Sequence, residues 1–504
     1  MKAYLLHRDR DVDLEADLPA NADDLIQDLG LEPILSAMAG GDKYLLEVAR
    51  KNLLWSLTDP GEILYRQHVL ADCLEHPAGV RELYDIAVSA IEGERKVYLG
   101  WFSDSPDIIL HRSVQVLELF LGVLRTLRRF ADEHAAEYRS EGFSQFFAML
   151  QRELDDAYLQ TIQYHLNELH LNRDVLLSAN LGQGNKGVGY QLHLPREQGL
   201  LERFLPGKRP GLSFAIAERD EAGHQALREL RNRGVNLVAN ALAQSTDHIL
   251  SFFNALRGEL GFYVACLNLH EQLTERGMST SFPVPEEPGE ARLAGCGLYD
   301  AALALSTTAP VVGNDVDADG RRLVMVTGVN TGGKSTFLRS VGLAQLMMQA
   351  GMYVAADSFR ADARAGIFTH YKREEDAAME SGKLEEELAR MSVIAGQIGR
   401  GSLLLCNESF GSTNEREGSE IARQIVRAMT EAGVKVVFVT HLFDLADSLY
   451  RGKRPDTLFL RAEWLPDGRR TFRVTEGRPQ PTSHGDDLYR RIFRASREAG
   501  ESVA

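Results

Sequence analysis

A glycine-rich turn between an apolar run and a helical pattern places the strongest constraint on this chain. The apolar run ending at Val326 is followed by Gly328-x-x-x-x-Gly333-Lys334-Ser335, and a helix-like pattern continues to Ala350. A strand, a glycine-rich turn and a helix in this order are typical of a phosphate-binding loop. The sequence therefore predicts a nucleotide site built from Gly328, Asn330, Thr331, Gly332, Gly333, Lys334, Ser335 and Thr336.

The residue types in this loop suit phosphate chemistry. Glycines let backbone N–H groups turn towards phosphate oxygens, and the N-terminus of the following helix adds partial positive charge. We expect Lys334 to reach the β- and γ-phosphates and the hydroxyl of Ser335 to ligate Mg²⁺. The alternative is a glycine turn with no ligand, which the flanking strand and helix patterns disfavour.

Composition limits the class of protein. The chain has 504 residues, the length of about two to four domains. Its formal net charge of −16 argues against attachment to nucleic acid over the whole surface, although a local basic surface is compatible with that sum. The cysteines form no C-x-x-C pair, so neither a zinc site nor a disulfide framework is predicted. Without a recognisable signal peptide or membrane span, we expect a soluble cytoplasmic protein.

Helical periodicity dominates the chain between about 31 and 280. Apolar residues step by four and three from Leu110 to Leu124, inside an expected helix over 105–138. Further helical stretches are predicted over 143–171 and 220–276. Two long amphipathic helices in succession predict an antiparallel pair that forms a lever.

A short segment at about 175–218 interrupts this helical region. Strand-like runs alternate there with Gly, Pro and Asn, which predicts a small β insertion. The stretch from Gly182 to Gly187 fits G-x-G-x-x-G, but a strand-like run follows it where a dinucleotide site needs a helix. We therefore interpret the stretch as a hairpin loop.

Four residues outside the loop are candidates for completing the nucleotide site. An apolar strand ends in Asn407-Glu408, where a Walker B strand usually ends in Asp-Glu. Glu408 is a candidate general base, while Asn407 can contact Mg²⁺ only through water and brings no charge, so slow hydrolysis is expected. His441 follows the strand 434–439 and either contacts the γ-phosphate or has no role. Ser381 precedes a helix and either contacts a partner's γ-phosphate in trans or is an ordinary N-cap.

These motifs, in this order, resemble the MutS family of DNA-repair ATPases. The phosphate loop shares the family's Asn330, and the stretch from Gln349 to Ala356 is similar to the family's segment after the loop helix. The segment that leads to the signature helix is also similar, at Ile367, Thr369, Asp376 and Ser381. So are the loop after Walker B, at Glu408, Thr413 and Gly418, and the Thr-His motif, at Thr440 and His441.

The resemblance implies the fold and domain order. We expect a multidomain chain in which an all-α core/lever domain with a small β insertion precedes an α/β P-loop ATPase domain of the ABC type. The expected boundaries are a lead-in at 1–30, the core/lever domain at 31–280 with a clamp-like insertion at about 175–218, and the ATPase domain at 281–504. The family's N-terminal mismatch-reading module and C-terminal extensions are not expected.

The resemblance also implies the ligands and partners. It implies ATP and Mg²⁺, a homodimer joined through the ATPase domains with Ser381 acting in trans, and a DNA clamp in mismatch repair or recombination control. Phosphate contacts are expected from local basic residues, for which a solvated surface is the alternative: Arg125, Arg128, Arg129, Lys208 and Arg209. A different class of function also fits, an ATP-gated protein-interaction switch without DNA contact.

Overall fold

The protein divides into two compact units that are discontinuous in sequence. The computed structural model describes residues 1–97, 105–169, 176–193, 216–328, 332–373, 382–465 and 470–480. The first unit contains residues 1–5 and 78–260, and the second contains residues 6–77 and 261–504. Within the described ranges, no helix combines the length and the apolar character needed to cross a lipid bilayer.

The first four helices belong to the second unit. They are α1 (Ala22–Leu29), α2 (Glu32–Ala39), α3 (Lys43–Leu54) and α4 (Pro60–Glu75). The start of α4 follows helix-capping rules, because Oδ1 of Asp59 accepts a 2.6 Å hydrogen bond from the N–H of Gly61 and Pro60 occupies the first turn.

This grouping differs from the boundaries expected at 30 and 280. Asn21 donates through Nδ2 to the carbonyl oxygen of Ile367 at 2.7 Å, and the N–H of Leu57 donates to the carbonyl oxygen of Gln349 at 2.8 Å. The first 77 residues are thus mostly part of the unit that carries the phosphate loop. An apolar helical period shows which face of a helix is buried but not which element covers it.

The first unit is mainly helical. Its elements are α5 (Pro77–Lys96), α6 (Pro106–His134), α7 (Glu141–Glu153), α8 (Asp156–Leu169), the strands β1 (Leu176–Leu181) and β2 (Gly187–His193), and most of α9 (Glu221–Glu275). The apolar seam of α6 is buried from Leu110 to Leu124, as predicted. Tyr138, beyond the end of α6, lies 4.6 Å from Phe143 and 5.2 Å from Phe147 between ring centroids, which anchors α7.

Two local expectations have different outcomes in this unit. The predicted continuous helix over 143–171 is wrong, since α7 ends at Glu153 and α8 begins at Asp156. The guanidinium of Arg128 donates to the carbonyl oxygen of Leu154 at 3.0 Å, which stabilises the break. The hairpin interpretation is confirmed, because β1 and β2 pair antiparallel around the glycine-rich turn. The part of the expected insertion at 194–215 lies outside the described residues.

The rest of the second unit contains two sheets and their helices. In chain order these elements are β3 (Val284–Glu286), β4 (Leu293–Leu298), α10 (Ala301–Ser306), β5 (Asn314–Asp317), β6 (Leu323–Thr327), α11 (Lys334–Gln349), β7 (Ser358–Asp362), β8 (Ile367–Tyr371), α12 (Lys383–Gln397), β9 (Leu403–Asn407), α13 (Glu415–Glu431), β10 (Lys435–Val439), α14 (Phe443–Arg451), β11 (Thr457–Trp464) and β12 (Arg470–Glu476). The strand order is β3-β7-β4-β5 in the small sheet and β12-β11-β6-β10-β9-β8 in the large one.

The large sheet is parallel except for its edge strand β12. Every residue of β6, β8 and β10 is buried, the pattern of strands covered on both faces. In the register, Val439 of β10 lies opposite both Val326 of β6 and Asn407 of β9. The carboxyl ends of these three strands therefore meet at one edge, where ligands bind in open parallel sheets.

Candidate functional site

The phosphate loop leaves β6 at this edge and leads into α11. Gly328 and Gly333 have φ angles of 119° and 92°, a region that favours glycine. A Cβ on Gly333 would also lie 3.1 Å from the carbonyl oxygen of Phe472. The expected strand–turn–helix context is confirmed, while the predicted site residues Asn330 and Thr331 lie outside the described residues.

Lys334 is buried at the start of α11, with its side chain folded back over the loop. Its Nζ donates a 2.8 Å hydrogen bond to the carbonyl oxygen of Gly328. Burial lowers the pKa of Lys334, and the nearby carboxylate of Glu408 opposes that effect. The ammonium group is thus held at the loop, where an anionic ligand would relieve its desolvation.

Ser335 and Asn407 bring two oxygen atoms together at the same edge. The hydroxyl of Ser335 donates to Oδ1 of Asn407 at 2.9 Å. A hydroxyl and an amide oxygen are hard ligands that fit Mg²⁺, a cation that usually keeps several waters and shares phosphate oxygens. These two residues were predicted for the metal position, and the strand register explains why they are neighbours.

Glu408 and His441 face each other where β9 and β10 end. Nδ1 of His441 lies 3.7 Å from Oε1 of Glu408, within ion-pair range but too far for a direct hydrogen bond. His441 is the main cause of the lowered pKa of Glu408, while partial burial acts in the opposite direction. The N–H of Glu408 is anchored to the carbonyl oxygen of Val439 at 2.9 Å. Glu408 is therefore held as a carboxylate beside the phosphate loop.

A cavity of about 380 Å³ opens next to these polar groups. It combines polar residues of the loop and of the adjoining sheet edge with apolar and aromatic residues from more distant segments. Its lining is Leu303, Thr307, Ala309, Pro310, Val311, Val312, Asn314, Gly333, Lys334, Ser335, Thr336, Glu408 and Phe472. This combination suits a ligand with an apolar ring and a polyanionic tail.

The apolar wall of the cavity was missed in the sequence. Phe472 belongs to β12, and Asn314 fixes that strand by accepting a 2.7 Å hydrogen bond at Oδ1 from the N–H of Val474. Val311 and Val312 come from the segment before β5. No local pattern marks these residues, because only the tertiary fold brings them to the loop.

Three of the arginines predicted to bind DNA, Arg125, Arg128 and Arg129, lie on α6 in the first unit. Arg125 donates to Oε1 of Gln163 at 3.3 Å, and Arg128 is engaged with the end of α7. Arg129 lines a cavity of about 200 Å³ together with Glu82 and other residues. Three further site predictions, Ser381, Lys208 and Arg209, lie outside the described residues.

Comparison with known proteins identifies the family. A model described as the MutS2 N-terminal domain matches residues 58–276, and one described as MutS domain V matches residues 324–466. The chain belongs to the MutS family. The predicted family is confirmed, and the MutS domain V match contains the phosphate loop, Glu408 and His441.

Individual relatives match over limited stretches. MutS protein homolog 4 of Homo sapiens is 25% identical over 266 residues, 51% of this chain and 28% of that protein. Endonuclease MutS2 of Lacticaseibacillus casei is 34% identical over 156 residues, 29% of this chain and 19% of that protein. DNA mismatch repair protein MutS of Thermotoga petrophila is 36% identical over 137 residues, 27% of this chain and 17% of that protein. The chain thus spans less than a third of the length of each of these relatives.

The glycine geometry of the loop generates a stability prediction. Replacing Gly333→Ala should lower the free energy of unfolding by roughly 1–3 kcal/mol, because a side chain at φ 92° is strained and crowds the backbone of Phe472. Thermal unfolding of the two proteins measures this effect. Gly396→Ala is the matched control, since Gly396 lies within α12 with open space around it and should keep or raise stability. Equal melting temperatures for wild type and Gly333→Ala would contradict the prediction.

Proposed function

We propose that this MutS-family chain is an ATP-dependent DNA-binding protein, a dimeric ATPase clamp that acts in mismatch repair or recombination control. The supporting observation is the edge of the large sheet, where Lys334, Ser335 and Glu408 line one cavity and Asn407 accepts a hydrogen bond from Ser335. Family membership and the names of the relatives support the DNA-repair part of the proposal.

ATP fits the cavity by its two chemical parts. The adenine ring would lie against the apolar wall near Val311 and Phe472, and the phosphates would lie on the loop with Lys334. Ser335 would hold Mg²⁺ directly and Asn407 through water. Mg²⁺, when bound, supplies positive charge that neutralises the β- and γ-phosphate oxygens.

Hydrolysis would depend on Glu408. Its lowered pKa keeps it ionised at neutral pH, as a general base that accepts a proton from the attacking water must be. His441 would orient that carboxylate and face the γ-phosphate. Asn407 takes the place of the usual Walker B aspartate and contributes no negative charge near the metal, which favours slow hydrolysis.

A dimer would complete two such sites. Each would combine the phosphate loop, Glu408 and His441 of one subunit with Ser381 of the other. ATP binding would close the dimer and hydrolysis would release it, and the helices of the first unit would carry this change to DNA.

An ATP-gated protein-interaction switch without DNA contact is the second candidate. The net charge of −16 favours it, because duplex DNA repels an acidic surface. The internal contacts of Arg125 and Arg128 favour it as well. The two candidates share the nucleotide site and differ in what the first unit binds.

The proposed role of Glu408 predicts a separation of binding from hydrolysis. Glu408→Gln should reduce the steady-state ATPase rate by about 10²–10⁴-fold, because the amide cannot accept the proton of the attacking water. ATP affinity, measured by equilibrium titration, should change little. Asn407→Asp is the comparison variant, which should hydrolyse ATP at least as fast as wild type at low Mg²⁺. Equal hydrolysis by wild type and Glu408→Gln would remove Glu408 from the mechanism.

DNA binding by the clamp should be electrostatic and therefore sensitive to salt. Gel-shift titrations with plain, mismatched and branched duplexes, with and without ATP, measure the association constant. Its logarithm should fall linearly with the logarithm of the salt concentration. The double change Arg125→Ala and Arg129→Ala should reduce that slope by about 1–2, because each phosphate contact contributes roughly 0.9. If none of these DNAs binds at low salt, the DNA proposal fails and the protein-interaction switch is favoured.

A further inference from the structure

A second set of contacts joins the loop after Glu408 to helix α12. His370, near the end of β8, is completely buried between this loop and α12. Its Nδ1 lies 2.7 Å from Oγ of Ser409, and its Nε2 lies 2.9 Å from the carbonyl oxygen of Glu387 in α12. One imidazole ring thus connects the residue after the candidate base with the backbone of a separate helix.

The hydrogen positions in this contact follow from its partners. The carbonyl oxygen of Glu387 only accepts, so Nε2 of His370 must carry a hydrogen and donate it. Burial lowers the pKa of His370 to about 4, so the ring is neutral near pH 7 and Nδ1 is an acceptor. The hydroxyl of Ser409 has one hydrogen and two possible acceptors, Nδ1 and the carbonyl oxygen of His370, each 2.7 Å from its Oγ.

Two further contacts strengthen the connection. The hydroxyl of Ser412 donates to Oε1 of Glu387 at 2.9 Å, and the carboxylate of Glu387 is itself buried. The ring of Phe410 stacks on His370 with a centroid distance of 5.3 Å and an interplanar angle of 23°. We call the four polar residues His370, Glu387, Ser409 and Ser412 the loop–helix bridge.

The bridged loop has an unusual backbone. Glu408 and Phe410 have φ angles of 54° and 63°, in the left-handed region that residues with a side chain rarely adopt. Such a conformation persists only where surrounding contacts hold it in place. Ser409, between these two residues, is fully buried, and its Oγ contacts both the ring and the backbone carbonyl of His370.

We propose that His370 and Glu387 are positioning residues for hydrolysis, which fix the left-handed loop that carries Glu408 and couple its position to that of α12. The proposal rests on the proposed function, in which Glu408 is the general base. A change at Glu408 between nucleotide states would move Ser409 and Ser412, and the bridge would transmit that movement to Glu387. Conversely, a force on α12 would displace the base.

Two substitutions of His370 separate hydrogen bonding from packing. His370→Phe keeps an aromatic ring against Phe410 but removes both polar contacts, whereas His370→Gln keeps one donor and one acceptor. If the bridge positions the base, His370→Phe should lower kcat by about 10–100-fold with little change in ATP affinity, and His370→Gln should retain much more activity. Should packing alone matter, the order reverses and His370→Phe is the more active variant, which overturns the proposal.

Other variants protect this test from a general loss of folding. Ser412→Ala changes a partly exposed residue and removes only one bridge contact, so it should lower kcat by a few-fold at an unchanged melting temperature. Val393→Ala is the control on α12, because the side chain of Val393 is exposed and outside the bridge, and its activity should equal that of wild type. If neither Ser412→Ala nor His370→Phe lowers kcat, the proposal is also overturned.

Hydrogen exchange tests the coupling itself. In wild type, a slowly hydrolysed ATP analogue should change amide protection in both α11 and α12. In His370→Phe the change in α11 should remain and that in α12 should disappear; an unchanged response of α12 would refute the coupling. Failure of the proposed function is distinguishable, because wild type would then neither bind nor hydrolyse ATP and α11 would not respond.

Discussion

The register of three parallel strands determines how the residues of the candidate site are arranged. Val439 lies opposite both Val326 and Asn407, so β6, β10 and β9 end at the same height and their following residues meet at one edge. Backbone hydrogen bonds continue this alignment, from Thr440 to Val326 at 3.0 Å and from Glu408 to Val439 at 2.9 Å. Shifting one strand by a single residue would turn its side chains to the other face and separate these groups.

At that edge the side chains are firmly held, but the position beside Ser335 carries no negative charge. Lys334 is buried and tethered to the loop, and Glu408 is held in a left-handed conformation with a lowered pKa. Asn407, however, presents an amide to Ser335 where a carboxylate would attract Mg²⁺ more strongly. For the proposed ATP site, this missing charge predicts weaker Mg²⁺ binding and slow hydrolysis.

Sequence patterns located those parts of the candidate site that lie within short continuous segments. The strand–turn–helix at Gly328 to Lys334 and the residues at the ends of apolar strands, Glu408 and His441, could be located because a strand end fixes where its next residue lies. Contacts between distant segments were not predictable. Phe472 reaches the cavity through β12, and His370 meets Glu387 only because α12 packs beside β8.

The difference between local patterns and distant contacts also explains which helices and units could be predicted from the sequence. Helical periodicity predicted the seam of α6 but continued across the break between α7 and α8, because a buried helix end keeps the apolar period. Arg128 caps the end of α7 by donating to the carbonyl oxygens of Gln151 and Leu154. No short sequence pattern indicates these contacts. The helices before residue 77 belong with the phosphate-loop unit for a similar reason, since their partners lie hundreds of residues away.

Nucleotide binding at Lys334 is the central claim, and calorimetric titration with ATP and Mg²⁺ tests it most directly. Lys334→Met retains a long, unbranched side chain that fits the buried position but removes the charge. Wild type should bind ATP, and Lys334→Met should bind it about 10–150-fold more weakly, the loss expected for a charge-assisted hydrogen bond of roughly 1.5–3 kcal/mol. Equal affinity in the two proteins, or no binding by wild type, would contradict the account.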